Sequence, residues 1–323
     1  MRYVDIPRTD LRVAGLCLGT SHLGTAVDRA ASFALLDAYY EAGGTFLDSA
    51  AVYADWMSEE RSVSEKTIGA WLAARRLHGQ VVVGTKGAHP DLRTMHIPRL
   101  SPKEILGDLE RSLRHLGVDR IDLYYLHRDD PGRPVEEIMD TLHGAWRAGH
   151  VRYVGCSNWR AERLRQAQAY ATREGWPGFV ANQALWNAAA LNPEARADKT
   201  TVPMDADLLA YHRQTGMAAV AYSSQAGGLF QKMAEGRLPA PRPGRPDLYP
   251  REENARRLER IRRIGAEAGL SITQVTLGYL AGHPFPAIPI VGCKTLPHLR
   301  DSLTAADTVL SAEQVAYVEG REP

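Results

Sequence analysis

Cysteine is scarce in this chain: there are 3 in 323 residues, at Cys17, Cys156 and Cys293. So few, so far apart, exclude a disulfide framework and a cysteine-rich metal site. Long apolar runs are missing too. No stretch reaches the roughly 18 consecutive apolar residues of a membrane-spanning helix. The opening Met1-Arg2-Tyr3-Val4-Asp5 lacks the apolar run of a secretory signal. Excess charge of one sign is also absent, since 39 Lys+Arg stand against 38 Asp+Glu, a formal net charge of +1. That balance leaves no electrostatic footprint for nucleic acid or an anionic membrane. The expectation is a cytoplasmic, globular protein with no nucleic-acid and no membrane partner.

What is present is an ordinary globular composition: 44% hydrophobic, 24% charged, with 28 Gly and 19 Pro. It is enough to bury a sizeable core, and it argues against disorder. Length alone suggests about two domains, although α/β barrels routinely run longer as one. Short apolar runs at 15–19, 45–48, 81–86, 121–127, 151–156, 179–183, 218–222 and 287–292 read as strands. They lack strict polar alternation, which suits parallel strands covered on both faces. Amphipathic helical patterns lie between them at 30–42, 64–75, 102–116, 135–147, 161–173, 205–214 and 253–268. Ser101-Pro102 with Glu104 reads as a helix start, and Gly43-Gly44, Gly117 and Gly149 as stops. Eight strands alternating with helices predict a single (β/α)8 TIM barrel over residues 1–323. The competing doubly wound sheet would want a G-x-G-x-x-G turn, and Gly15-Leu16-Cys17-Leu18-Gly19-Thr20 does not supply it. Two long loops are expected on the catalytic face, 52–63 and 226–251. The second carries five prolines, Pro239, Pro241, Pro243, Pro246 and Pro250.

Barrel catalysis draws on side chains at the C-terminal ends of several strands. Those ends carry Asp48 followed by Tyr53, then Lys86, His127, Ser157-Asn158, Asn182-Gln183 and Tyr222-Ser223. Each alone has an ordinary structural role: a turn-forming Asp, a rim Tyr, a snorkelling Lys, a hydrogen-bonded core His. Together they make a coherent proton-transfer set. A phenol titrates near about 10 and needs tuning to give up its proton at neutral pH. A nearby ammonium lowers its pKa, a carboxylate keeps that ammonium charged, and an imidazole can hold the reacting oxygen. Such a site would protonate a carbonyl oxygen as hydride arrives at its carbon, with no metal.

The stretches Leu18-Gly19-Thr20, Leu47-Asp48-Ser49-Ala50-Ala51-Val52-Tyr53, Glu65-Lys66-Thr67-Ile68-Gly69 and Thr85-Lys86 stand in a familiar order. Asp122-Leu123-Tyr124-Tyr125-Leu126-His127, Gly155-Cys156-Ser157-Asn158-Trp159, Asn182-Gln183 and Tyr222-Ser223 continue it. In this the chain resembles the aldo-keto reductase superfamily over essentially its whole length. The resemblance implies a tetrad of Asp48, Tyr53, Lys86 and His127. Tyr53 would be the general acid, its pKa lowered by Lys86, and His127 would orient the carbonyl. It also implies a nicotinamide cofactor bound without a Rossmann domain, NADPH being favoured and NADH possible. Ser157, Asn158 and Gln183 would hold the carboxamide, and Tyr222 would stack on the ring. Gly19, Thr20, Ser21, Asp48, Ser223, Ser224, Gln225 and Gly292 complete the expected cofactor lining. Lys294 is expected at the 2′-phosphate, with Arg300 second to it and His298, Asp301 and Ser302 nearby. The family's usual Glu-Asn stands here as Asp301-Ser302, and its Ser-Pro-Leu as Ser223-Ser224-Gln225.

The partner expected is a small-molecule aldehyde or ketone, of sugar or aromatic type. His22, Trp56, Trp186 and Phe230 are the expected substrate contacts, whereas Trp159 reads as packing. Two other readings compete. Lys86 could form a Schiff base on the same barrel, or the chain could bind cofactor as a non-catalytic regulatory subunit.

Overall fold

The computed structural model describes residues 1–240 and 246–321. The chain opens with an antiparallel hairpin, β1 (Tyr3–Asp5) and β2 (Arg12–Ala14), in the register Val4↔Val13. Eight parallel strands follow: β3 (Cys17–Gly19), β4 (Phe46–Asp48), β5 (Val82–Gly87), β6 (Ile121–Leu126), β7 (Val151–Ser157), β8 (Phe179–Leu185), β9 (Ala218–Tyr222) and β10 (Ala287–Gly292). They close in the order β10-β3-β4-β5-β6-β7-β8-β9. The expected (β/α)8 barrel is therefore the fold. Around it lie α1 (Arg29–Glu41), α2 (Val63–Arg75), α3 (Pro102–Leu116), α4 (Val135–Arg147), α5 (Ala161–Arg173) and α6 (Ala206–Thr215). The connection from β9 to β10 holds α7 (Leu229–Ala234), α8 (Arg251–Ala268) and α9 (Ile272–Ala281); α10 (Leu296–Leu303) and α11 (Ala312–Glu319) end the chain.

Local chemistry sets these boundaries. Ser101 and Glu104 form a reciprocal capping box with Pro102 at the first turn of α3, and Gly117 ends that helix at φ 67°. The hairpin, which the sequence pattern did not reveal, seals the N-terminal end of the barrel. Val4, Ile6, Leu11 and Val13 join the interior residues Cys17, Phe46, Leu123, Tyr125, Val220 and Ile290 in one cluster. One further correction concerns the 226–251 segment, since α7 lies inside it; Pro241 and Pro243 of that segment fall outside the described residues.

The pleat decides what reaches the cleft. In β6, Leu123 and Tyr125 face the barrel interior while Tyr124 and Leu126 pack outward against helices. The same alternation in β4 turns Phe46 inward and Leu47 outward, so Asp48 faces in again. Gly19 has a packing reason: a Cβ there would lie 2.8 Å from the Ile290 side chain across the β3–β10 pair.

Candidate active site

At the C-terminal ends of β4 and β5 two charges meet in the interior. The Lys86 ammonium donates to Asp48 Oδ1 and Oδ2 at 2.8 Å each, to the Ser49 carbonyl at 2.7 Å and to the Tyr53 hydroxyl at 2.9 Å. The side chains of Lys86 and Asp48 are 1% and 2% exposed. Tyr53 Oη also donates to Asp48 Oδ2 at 3.2 Å, and the Gln183 amide donates to Asp48 Oδ1 at 2.6 Å. Burial pushes the Lys86 amine down and Asp48 opposes it. The Tyr53 phenol is pushed up, first by burial and then by the Asp48 carboxylate. That corrects the expectation of a lowered phenol: burial, reinforced by the carboxylate that accepts its proton, holds it up. Tyr53 is thus held protonated, the form a proton donor needs.

His127 completes the set, its ring 5.9 Å from that of Tyr53. Burial, with His89 and Arg128 beside it, pushes His127 well below the usual imidazole range. The Nδ1 atom of His127 is buried and has no partner among the described residues. An orphaned N–H is costlier than an orphaned lone pair, so the proton belongs on Nε2. Sequence reading missed two neighbours. Arg128, 8% exposed, donates to the His127 carbonyl at 2.8 Å, to Thr200 Oγ1 at 2.7 Å and to Asp198 at 2.9 Å. It pins the segment between β8 and α6 over the barrel mouth. His89 follows β5 and packs 4.6 Å from the His127 ring. The signal for both was position, a polar residue one or two places beyond a strand end.

The model of the Aldo/keto reductase family matches residues 15–322. The chain belongs to this family. An aldo-keto reductase of Aspergillus calidoustus is 32% identical over 97% of this chain and 80% of its own length. An NADP(+) aryl-alcohol dehydrogenase of Phanerodontia chrysosporium is 32% identical, over 98% of this chain and 84% of its own. A norsolorinic acid reductase of Emericella nidulans is 29% identical over 98% and 80% respectively. This aldo-keto reductase is accordingly a nicotinamide-dependent oxidoreductase. No helix among the described residues is long and apolar enough to cross a membrane.

The strand ends of this reductase fit a nicotinamide. Gln183 Oε1 is a buried acceptor with no partner among the described residues, of the kind a carboxamide N–H needs. Beyond β9, Ala226, Gly227 and Gly228 take φ values of 50°, 65° and 75° in succession. A Cβ at Gly227 or Gly292 would meet no atom within 4 Å, so backbone there lies open to a ligand. Ser21 follows β3, Ser223 and Gln225 follow β9, and beyond β10 Lys294, His298 and Arg300 are exposed. Lys294 sits just before the α10 N-cap Thr295, close enough to His22 to depress that imidazole after burial has done so.

Several expected contacts are engaged elsewhere. Thr20 Oγ1 donates to the Asp48 carbonyl at 2.9 Å, and Ser224 Oγ donates to the Ile290 carbonyl at 2.6 Å. Asn158 donates to His127 O and to the buried Ser157 Oγ, and it accepts from Val202 N–H and from Tyr222 Oη at 2.7 Å. Its amide is saturated, so it ties the end of β7 to β9 and to the segment between β8 and α6. Ser302 lies on the buried side of α10 with Leu299, beside the Cys293 thiol, while Asp301 accepts from Thr273 at 2.7 Å.

The substrate wall also differs from expectation. Trp56 is 49% exposed and its ring lies 6.1 Å from that of Tyr53, at the mouth. Trp186 is instead in a core cluster with Tyr279 and Phe285, and Phe230 of α7 is buried in that same cluster. β8 runs on to Leu185, and the chain then turns Trp186 outward against α9. His22 faces Lys294, on the cofactor side. Trp159 is packing, edge-on to Phe179 at 5.0 Å.

Proposed function

We propose that this reductase converts an aldehyde or ketone to the alcohol with NADPH, Tyr53 supplying the proton. The observation that carries the reading is the buried Asp48–Lys86–Tyr53 cluster beside His127. When bound, reduced nicotinamide supplies the hydride that reaches the carbonyl carbon. His127 Nε2–H and Tyr53 Oη hold the carbonyl oxygen, and the Tyr53 proton passes to it as charge develops. The ammonium of Lys86 then stabilises the phenolate until it regains a proton. Gln183 and Ser157 would hold the carboxamide and Tyr222 would flank the ring. Lys86 is paired to the Asp48 carboxylate, and an ion-paired ammonium is a poor nucleophile, which speaks against a Schiff base.

The phosphorylated cofactor is supported by Lys294, exposed at the start of α10 where the helix dipole also favours an anion. A relative named for NADP(+) agrees. The name of one relative, an aryl-alcohol dehydrogenase, supports an aromatic carbonyl over a sugar. We read the whole chain as one catalytic domain.

Tyr53→Phe should lower kcat for benzaldehyde by about 10²–10⁴-fold, while NADPH binding followed by fluorescence stays within a few fold. Full activity in that variant would end the assignment. Lys294→Ala should weaken NADPH more than NADH in the same titration. Equal weakening would remove the 2′-phosphate role.

A further inference from the structure

His127 has to aim a ring N–H at the reacting oxygen, and a functional imidazole is usually oriented by the bond that its second nitrogen makes. Here that nitrogen, Nδ1, has no partner among the described residues. His89, packed 4.6 Å away ring to ring, spends its own Nδ1–H on the Pro90 carbonyl at 2.7 Å. The aim of the ring therefore falls to the main chain. His127 lies one residue beyond β6, and its N–H donates to the Gly87 carbonyl at 2.9 Å. Its carbonyl accepts from two side chains, Arg128 Nη1 at 2.8 Å and Asn158 Nδ2 at 3.2 Å.

Both donors are held by one short segment, 198–202, between β8 and α6. Arg128 Nε donates to Thr200 Oγ1 at 2.7 Å, and Nη2 donates to Asp198 Oδ2 at 2.9 Å. Asp198 Oδ1 in turn accepts from the Thr200 N–H at 2.9 Å and from its hydroxyl at 2.6 Å. Asn158 Oδ1 accepts from the Val202 N–H at 2.9 Å. The Arg128 side chain is 9% exposed. Its bonds are thus made largely out of water, where a charge-assisted bond is strong. The rigid guanidinium fork fixes three directions at once, which a lysine ammonium does not.

We infer that Arg128 is a positioning residue for carbonyl reduction: through its guanidinium the 198–202 segment fixes the His127 main chain, and with it the imidazole, against the reacting oxygen. The inference rests on the reductase reading above, in which His127 Nε2–H holds that oxygen. Arg128 acts on alignment in the transition state, so its loss slows hydride transfer and leaves binding nearly unchanged.

The test follows single turnovers of NADPH-loaded enzyme with benzaldehyde, read as loss of reduced-nicotinamide absorbance. Arg128→Met should slow the turnover about 10- to 100-fold, since a misplacement of about 1 Å is enough. Half-saturation by benzaldehyde and the NADPH Kd from fluorescence should stay within about 3-fold. Asp198→Ala should slow the turnover at least about 5-fold. Because Asp198 acts through Arg128, the double variant should lie within about 2-fold of Arg128→Met. The Asp198 side chain is 32% exposed, so its variant keeps the test decisive if Arg128→Met does not fold. An unchanged rate in either single variant overturns the proposal. So does a loss confined to NADPH affinity or half-saturation, the mark of an arginine that only orders a loop, and so do losses that multiply in the double variant. If the unaltered enzyme reduces benzaldehyde and Arg128→Met does so equally fast, only the role of Arg128 falls. If the unaltered enzyme reduces no carbonyl at all, the reductase reading falls and this one with it.

Discussion

Lys86 is buried where an ammonium survives only with full pairing. Its three N–H bonds go to the Asp48 carboxylate, the Ser49 carbonyl and the Tyr53 hydroxyl. Removing Asp48 leaves that charge uncompensated, which costs about 3–5 kcal/mol. Asp48→Ala should therefore lose stability on that scale in urea unfolding at pH 7. The double variant Asp48→Leu with Lys86→Met should regain most of it while remaining inactive. A small loss in the single variant would show that Lys86 deprotonates in place. The tetrad was legible in the sequence because each member sits at or just past a strand end, where a barrel places its chemistry. The direction of the Tyr53 shift was not legible. It is set first by how deeply the phenol is buried and then by the carboxylate it meets, and a spacing of five residues fixes neither.

At the scale of elements, α9 and the turn after it contain a polar group the fold does not satisfy. His283 is 7% exposed, and both ring nitrogens lack a partner among the described residues. It packs between Trp186 at 4.7 Å, Tyr279 at 5.3 Å and Phe285 at 5.7 Å. One unpaired buried N–H costs about 1–3 kcal/mol. His283→Phe should raise stability by about 1 kcal/mol at pH 7, and by more at pH 5, read as a shift in urea midpoint. A destabilised variant would mean that a water satisfies the ring. The same packing explains why Trp186 was misplaced: whether the residue after a strand faces the cleft or a helix depends on how the loop leaves. α9 itself escaped notice because Gly269-Leu270-Ser271 separates it from α8, and its largely apolar sequence carries little amphipathic pattern. His89, in the loop after β5, went unread in the sequence because it is the fold that packs it against His127, just beyond β6.

For the whole molecule, buried neutral imidazoles set the acid side of stability. Burial pushes His89, His212 and His283 each down to about 4. In the unfolded chain each titrates near about 6.5. Between those values the unfolded state binds protons that the folded state refuses, so stability rises with pH across that window. It is fully present above about 6.5 and is lost as pH falls toward 4. On the alkaline side Tyr211, pushed up to about 12 by burial, and the raised Tyr53 stay protonated after the unfolded chain ionises near 10. Stability should then fall again above about pH 10. Urea midpoints should be level from pH 7 to 9 and drop at pH 5 by the equivalent of about 2 kcal/mol or more. A flat profile down to pH 5 would mean that these imidazoles gain protons without unfolding.

The order of the eight barrel strands, the closed barrel and the ends that bear Asp48, Lys86 and His127 were determined by the sequence itself. Strand pattern and punctuation are local, and parallel strands in alternation with helices have few ways to close. Tertiary structure alone decided which polar groups remain available. Asn158, Thr20, Ser224 and Ser302 stand where a ligand contact was expected, and the fold binds or buries each of them from within. His89 and His127 acquire opposite tautomers only because one meets a carbonyl and the other meets none. A hydrogen-bonding role belongs to a pair of groups in space, and a linear sequence names only one of the two.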